Sequence, residues 1–419
     1  MRSSLLMCRT LIMGIVLVLV SAAYAENWPQ WRGPDGTGAA PSGNPPTTWS
    51  ETENVRWKTP LPGHGASTPI IWGDKIFIQT AVPEGDAMSV HAFKVLCFDR
   101  NTGKQVWEQT PVSAQPHEGH HPTAGFSPYS PVTDGTHLWV SFGTHGLYCY
   151  DLDGALQWKA SLPRMTIKNN FGEGSSPALA GDAIIVLADH MGQSEIMAFN
   201  KNTGKEIWRK DRDEDTTWSS PAVAEVNGEL QVIINATNAV RSYDAKTGEV
   251  IWTCSGQTPN VIPTPVVGDG EVYCTSGFRA STMHAITLGR TGDLTDSDAI
   301  RWQVDSGTPY VPTPLLYQGR LYLNAVNRAV VSCYAVKDGA KLYAAKPIKE
   351  IKTVYASAVG AGGRVYIPGR EGTVAVIDGG DEFKILAVNQ LDDAFDASPA
   401  VVGDALFLRG ASNLYCIAK

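Results

Sequence analysis

The chain is poor in charge and, after its first residues, has no long apolar run. Charged residues make up 18% against 43% hydrophobic, the balance of a globular chain with ample core rather than a disordered one. Beyond Val20 no segment is apolar for long enough to cross a bilayer as a helix. Basic clusters are missing: 34 Lys and Arg stand against 42 Asp and Glu, for a net charge of −8. That balance argues against nucleic acid as a partner. No G-x-S-x-G, P-loop or dinucleotide fingerprint occurs in a usable context, so none of those chemistries is announced. No two cysteines are adjacent.

What the chain has is repetition. In the copy Ser175–Trp208, Ser176-Pro177 opens a strand, and Gly181-Asp182 turns it into the apolar run Ala183–Ala188. A loop leads to Ile196–Phe199, and Asn202-Thr203-Gly204 turns into Lys205–Trp208. Gly supplies the positive φ that tight turns need and Asn or Asp tolerates it, so the unit reads as four antiparallel strands. Ser or Thr before Pro recurs at 68, 130, 176, 220, 264, 313 and 398, with Ser357-Ala358 as a degenerate eighth copy. A two-residue turn follows each. The unit ends on Trp107, Trp158, Trp208, Trp252 and Trp302, with Tyr343 and Phe383 expected in the same role. The eighth unit stops before its last strand, while Trp57, in Asn54–Lys58, precedes the first Ser/Thr-Pro. A closed ring accounts for both, the N-terminal strand completing the last sheet. The expected fold is an all-β, eight-bladed β-propeller of four-stranded antiparallel blades.

The repeat also orders the ends of the chain. Met1–Ala25 reads as a secretory signal peptide: Arg2 and Arg9, then the apolar Leu11–Val20, then the cleavage site Ala23-Tyr24-Ala25. Its removal takes the net charge to −10 and leaves six cysteines. Cys8 precedes the apolar run and is not placed as a lipid-bearing cysteine. The mature chain is expected in the periplasm or cell envelope, not membrane-spanning, and monomeric. Residues 26–53, with Trp28, Trp31 and Trp49, read as an extended ordered arm over the propeller of residues 54–419. Cys97, Cys149, Cys333 and Cys416 share one repeat position, expected to be a small buried one. Export permits disulfides, and Cys254 with Cys274 is the pair to examine.

Leu96–Trp107, Met197–Trp208 and Tyr243–Trp252 carry the pattern A-x-D-x-x-T-G-K-x-x-W or a close variant. From about Asn54 to Lys419 the chain resembles the quinoprotein-type (PQQ-like) β-propeller repeat, and the WPQWRGP opening is similar to that of exported propellers of this type. The resemblance implies that Trp57, Trp107, Trp158, Trp208, Trp252 and Trp302 each dock one blade on the next. It also implies two kinds of relative. One is the propeller subunit of the outer-membrane β-barrel assembly machinery, a binding protein. The other is the quinoprotein dehydrogenases, which hold PQQ and calcium on the axis with an Asp base and usually a disulfide between neighbouring cysteines. The adjacent cysteines and long inserts of those enzymes are missing here, and no motif singles out Asp396 or Glu173 as base or ligand. No catalytic residue is carried over.

Two loops are read as expanded on one face, Ala81–Lys94 and Glu108–Phe126, with the loops of His145 and His190 in the same class. His91, His117, His120, His121, His145 and His190 are therefore expected over one sector. His117-Glu118-Gly119-His120-His121 formally matches H-E-x-x-H, but that motif needs a helix, and Pro116, Gly119 and Pro122 oppose one. A loop-borne metal site, for which His and Glu would suit zinc or another transition metal, stands beside a plain solvated loop, and no metal ligand is assigned. Around the channel mouth are expected His64, Tyr129, Glu173, Trp218, Asn260, Tyr310, Tyr355, Phe395 and Asp396, a set suited to a small molecule or peptide or to plugging the channel. The candidate partner face is thus His91, His117, Glu118, His120, His121, His145, His190, Trp218, Tyr310, Tyr355 and Asp396. Three functions are carried forward. The first is a non-enzymatic binding or scaffold propeller for envelope proteins or peptides, needing no cofactor. The second is a PQQ- and calcium-dependent alcohol or sugar oxidoreductase. The third is a metal- or carbohydrate-binding propeller.

Overall fold

The computed structural model describes residues 27–86, 89–325 and 329–419; the signal-peptide reading of Met1–Ala25 lies outside them. Eight antiparallel sheets form the eight blades of a β-propeller. Blade 3 is the reference copy, with strands Ala178–Ala180, Ala183–Ala188, Ser194–Asn200 and Glu206–Arg212. Its outer strands run further than the apolar pattern suggests, because the pairing continues through polar residues to Ser194↔Arg212. In blade 8, Val55–Pro60 pairs antiparallel with Asn413–Ile417, so the N-terminal strand closes the ring as expected.

The Trp at each blade's end has a defined seat. The indole N–H of Trp57 donates to the Arg100 carbonyl of blade 1 at 3.0 Å. Trp107 does so to Leu152 and Trp208 to Ala245 at 3.0 Å, Trp158 to Lys201 at 2.9 Å and Trp302 to Val336 at 3.1 Å. Each ring lies against the glycine of the next blade's last turn. A Cβ added to Gly103 would stand 2.6 Å from Trp57, and one on Gly204 2.4 Å from Trp158. That turn therefore needs glycine for the space as well as for its positive φ.

Three seams depart from this rule, among them that of blade 6, which has Tyr343 at the Trp position. Blade 5 replaces its turn with an excursion whose Gly292–Asp293 adds a fifth, parallel strand to blade 4 beside Trp252. Trp252 is fully buried and its indole N–H has no partner. In blade 7 the register puts Ala387, not Phe383, at the Trp position, opposite Val376. Phe383 instead packs edge-on against Tyr343 of blade 6, ring centres 5.6 Å apart. The expectation for Phe383 is thereby corrected, and the reason is topological. Blade 8 takes its last strand from the other end of the chain, so it has no turn there for a Trp to dock on. The arm supplies the aromatic, Trp49 stacking on Tyr366 at 6.4 Å.

The Ser/Thr that marks each copy forms a belt. Thr68 N–H donates to Ser130 Oγ, and the chain of bonds continues through Ser176, Ser220, Thr264, Thr313 and Ser357 to Ser398, at 2.9–3.2 Å. Each hydroxyl accepts the amide of the preceding blade's marker. The belt is open at one seam, where Thr68 Oγ1 is buried without a partner. There Arg409 of blade 8 reaches across to the carbonyls of Gln79 at 2.7 Å and Ser67 at 3.3 Å. The six described cysteines are free and buried, Cys254 and Cys274 among them, so that pair is not a disulfide.

Candidate functional site

The arm divides the axis of the ring, leaving a cavity of about 430 Å³ on its own side, beside Gln30, Arg32 and Asp35. Residues 27–53 run across the face that bears the first turn of each blade. Trp28 pairs with Ile71 of blade 1, Ala40 donates to Gly360 of blade 7, and Asn44 accepts from Arg364. Between them Trp31 and Arg32 enter the axis. The Trp31 indole donates to Thr264 Oγ1 of the belt at 3.2 Å. Arg32 donates to the carbonyls of Ala358 at 2.7 Å and Pro314 at 3.1 Å, and burial without a carboxylate pulls its pKa down to about 9. Above Trp31 lies a cavity of about 370 Å³. Its walls are the belt hydroxyls and, nearer the mouth, Phe171, Trp218, Phe278, Tyr310 and Tyr355. The aromatics come from loops of several blades. Phe278 and Tyr310 pack at a tilt with centres 5.1 Å apart, and Tyr355 lies under the Arg370 guanidinium at 5.3 Å.

Two carboxylates border this cavity. Asp396 is ion-paired with Arg370 at 2.7 Å, and burial raises its pKa against that pairing. Glu173 Oε2 accepts from the Tyr129 hydroxyl at 2.7 Å and the Thr144 amide at 2.8 Å, and Oε1 accepts from the Thr144 hydroxyl. Its pKa is raised by desolvation, which these bonds oppose. A Cβ at Gly143 would sit 1.5 Å from Glu173 Oε2, so only glycine admits the carboxylate here.

The six histidines of the open face divide among different places. The reason is that the two stretches read as loops are in part strand. Half of Ala81–Lys94 is the ends of the paired strands Lys75–Pro83 and His91–Asp99, and Glu108–Phe126 begins inside Gln105–Ala114. Blade 1 thus stands up as a long hairpin, and the segment after it folds over the neighbouring connections. His91 and His120 pack on Phe126 from 4.8 and 4.3 Å, in a second cavity of about 500 Å³. His121 borders the axial cavity beside Phe171 and Tyr355. His190 is buried and accepts the amides of Thr166 and Gly192 on Nδ1. His117 and His145, 6.4 Å apart, line a small space with Glu118 and Glu173. The H-E-x-x-H stretch is not helical, and its two end histidines point to different partners. Of the mouth residues expected from the sequence, Glu173, Trp218, Tyr310, Tyr355 and Asp396 line the axial cavity. Tyr129, Asn260 and Phe395 are buried, and His64 lies in the second cavity. Phe171, Phe278, Trp31 and Thr144 were not anticipated. Phe278 occupies the loop class that holds His145 and His190, so alignment of the repeats would have found it.

A family model described as outer membrane protein assembly factor BamB matches residues 91–287 and 238–418, and the chain belongs to this family of eight-bladed propellers. The structure is similar to BamB from Moraxella catarrhalis, with a TM-score of 0.60 and 15% identity over 86% of this chain and 99% of that one. It is also similar to a europium-containing methanol dehydrogenase, at 0.63 and 11% over 93% and 90%. Quinohemoprotein alcohol dehydrogenase from Comamonas testosteroni matches at 0.69 and 10% over 96% and 82%. At such identities these likenesses concern the fold alone. A curated relative, tetrathionate hydrolase of Acidithiobacillus ferrooxidans, is 26% identical over 275 residues, 64% of this chain; the chain spans 42% of that protein's length.

The dehydrogenase likeness raises PQQ, a polycarboxylate. Among the described residues lining the axial cavity none is Lys or Arg, and the nearby Arg370 is taken by Asp396. Glu173, the lining carboxylate bonded only to neutral donors, would repel such an anion. The residues present do not fit the cofactor.

Proposed function

We propose that the chain is an exported binding propeller of the cell envelope, which receives an apolar, aromatic-bearing segment of a partner protein in its axial cavity. The observation that supports this best is the asymmetry of the axis. Trp31 and Arg32 divide it, and the side away from the arm opens through Phe171, Trp218, Tyr310 and Tyr355 into a bowl lined mainly by apolar and hydroxyl groups. Aromatic rings with a few fixed polar groups in a concavity bind side chains by burial and by stacking. Membership of the BamB family supports an envelope setting and a protein partner. Among the described residues no helix is long and apolar enough to cross a membrane. The activity of tetrathionate hydrolase is not carried over from a match that spans so little of that enzyme.

A photo-crosslinking residue placed at Tyr310, in cells of the native host, tests the reading. An adduct with an envelope protein is expected there and not from the same residue at Asp35 on the arm face. No adduct from either position, together with dye reduction by alcohols or sugars on adding PQQ and calcium, would replace the binding propeller by an oxidoreductase.

A further inference from the structure

Beside the axial cavity, between the segment that follows blade 1 and the connection after blade 2, lies a small, half-open space of about 30 Å³. It is lined by His117, Glu118, His145 and Glu173 and walled by Phe93, Phe126 and Phe142. One donor atom each of His117, Glu118 and Glu173 falls within a span of 4.8 Å. Each of the three is held from behind. The His117 Nε2–H donates to the Met165 carbonyl at 2.7 Å, which fixes the tautomer and leaves the Nδ1 lone pair free. Glu118 Oε2 accepts the Ile167 amide at 2.9 Å, while its Oε1 is buried with no partner. Glu173 is fixed by Tyr129 and Thr144. An imidazole oriented by a backbone carbonyl and carboxylates oriented by amides are the outer-shell bonds of metal ligands. Among the described residues lining the space there is no Lys or Arg to neutralise two carboxylates, and like charges this close repel one another more strongly where water is partly excluded.

We propose that His117, Glu118 and Glu173 bind one divalent transition-metal ion of the zinc class. One nitrogen and two carboxylate oxygens suit zinc, with a position left for water or a ligand. The same three groups explain why Glu118 keeps a buried oxygen unpaired: that oxygen is the vacant ligand. Because Glu173 also lines the axial cavity, the ion would couple the position of this carboxylate to whatever enters the bowl. The inference does not depend on the partner proposed above, since it is read from metal content alone.

The test is calorimetric titration of the untagged full chain, stripped with chelator, with zinc chloride. One zinc per chain is expected, together with a rise in melting temperature. Glu118→Gln keeps the shape and removes a charged donor, and is expected to weaken zinc by at least about tenfold; His117→Gln should do the same. His137→Ala, in blade 2 but outside the cluster, should leave binding unchanged. Intrinsic Trp fluorescence confirms folding of each variant, and anomalous scattering at the zinc edge locates the ion. No zinc bound, zinc bound equally by folded Glu118→Gln and His117→Gln, or a zinc peak away from these three residues would overturn the proposal.

Discussion

The two faces of the disc are built for different ends. On the arm face, main-chain carbonyls meet fixed donors: the indoles of Trp57, Trp107, Trp158, Trp208 and Trp302, and the guanidinium of Arg32. On the open face the large side chains stand around cavities, and several polar groups keep unused bonding capacity, Glu118 Oε1 among them. Buried donors stay unpaired on both faces, the indoles of Trp28, Trp49 and Trp252 among them; what separates the faces is that large side chains are docked into seams on one and stand around the axial cavity on the other. Substitutions on the arm face should lower stability and spare binding; those on the open face should do the reverse.

The largest effect is expected for Trp208→Ala, which removes a buried ring from the blade 3–4 seam. A loss of about 3–5 kcal/mol should appear in urea unfolding. A loss under about 1 kcal/mol would refute the docking role of the seam. Arg32→Ala should lose roughly 2–4 kcal/mol by leaving buried carbonyls and a hole where the arm divides the axis. Arg32→Lys should recover little of it, because one ammonium cannot reproduce the fork. In the belt, Ser220→Ala strands the Ser176 amide and should cost about 1–3 kcal/mol. Thr68→Val, whose hydroxyl is already unpaired, should fall well short of that; equal losses would show that the belt hydrogen bonds contribute nothing. Smaller still is the contrast between Trp208→Phe and Trp252→Phe. The first loses a hydrogen bond and the second does not, so they should differ by about 1 kcal/mol. On the open face, Tyr355→Ala should change the melting temperature least, while abolishing the crosslink expected from the neighbouring Tyr310.

Most of the ring was legible in the residues. Eight markers, eight turns and a displaced Trp57 sufficed for the blade count and the closure, since each repeat carries the same local chemistry and the periodicity accumulates. The role of the markers was not legible. Ser or Thr before Pro reads as a strand start, and only the apposition of neighbouring blades turns the hydroxyls into a belt. Phe383 was misplaced because it sits at a plausible spacing in sequence, whereas the strand register selects Ala387. The metal-like cluster was half visible. His117 and Glu118 are adjacent, but H-E-x-x-H directs attention to His121, and the third donor, Glu173, arrives from a different blade connection.

The sequence by itself thus determined the all-β class, the number of blades and the strand that closes them, because turns and strand periodicity are local and repeat. The tertiary structure alone decided which face the arm covers and that Trp31 and Arg32 divide the axis. It alone decided how six histidines part into separate environments, and which carboxylate meets His117. Those outcomes depend on contacts between residues far apart in the chain, where one turn of different length, as in blade 5 or blade 7, redirects the side chains that follow.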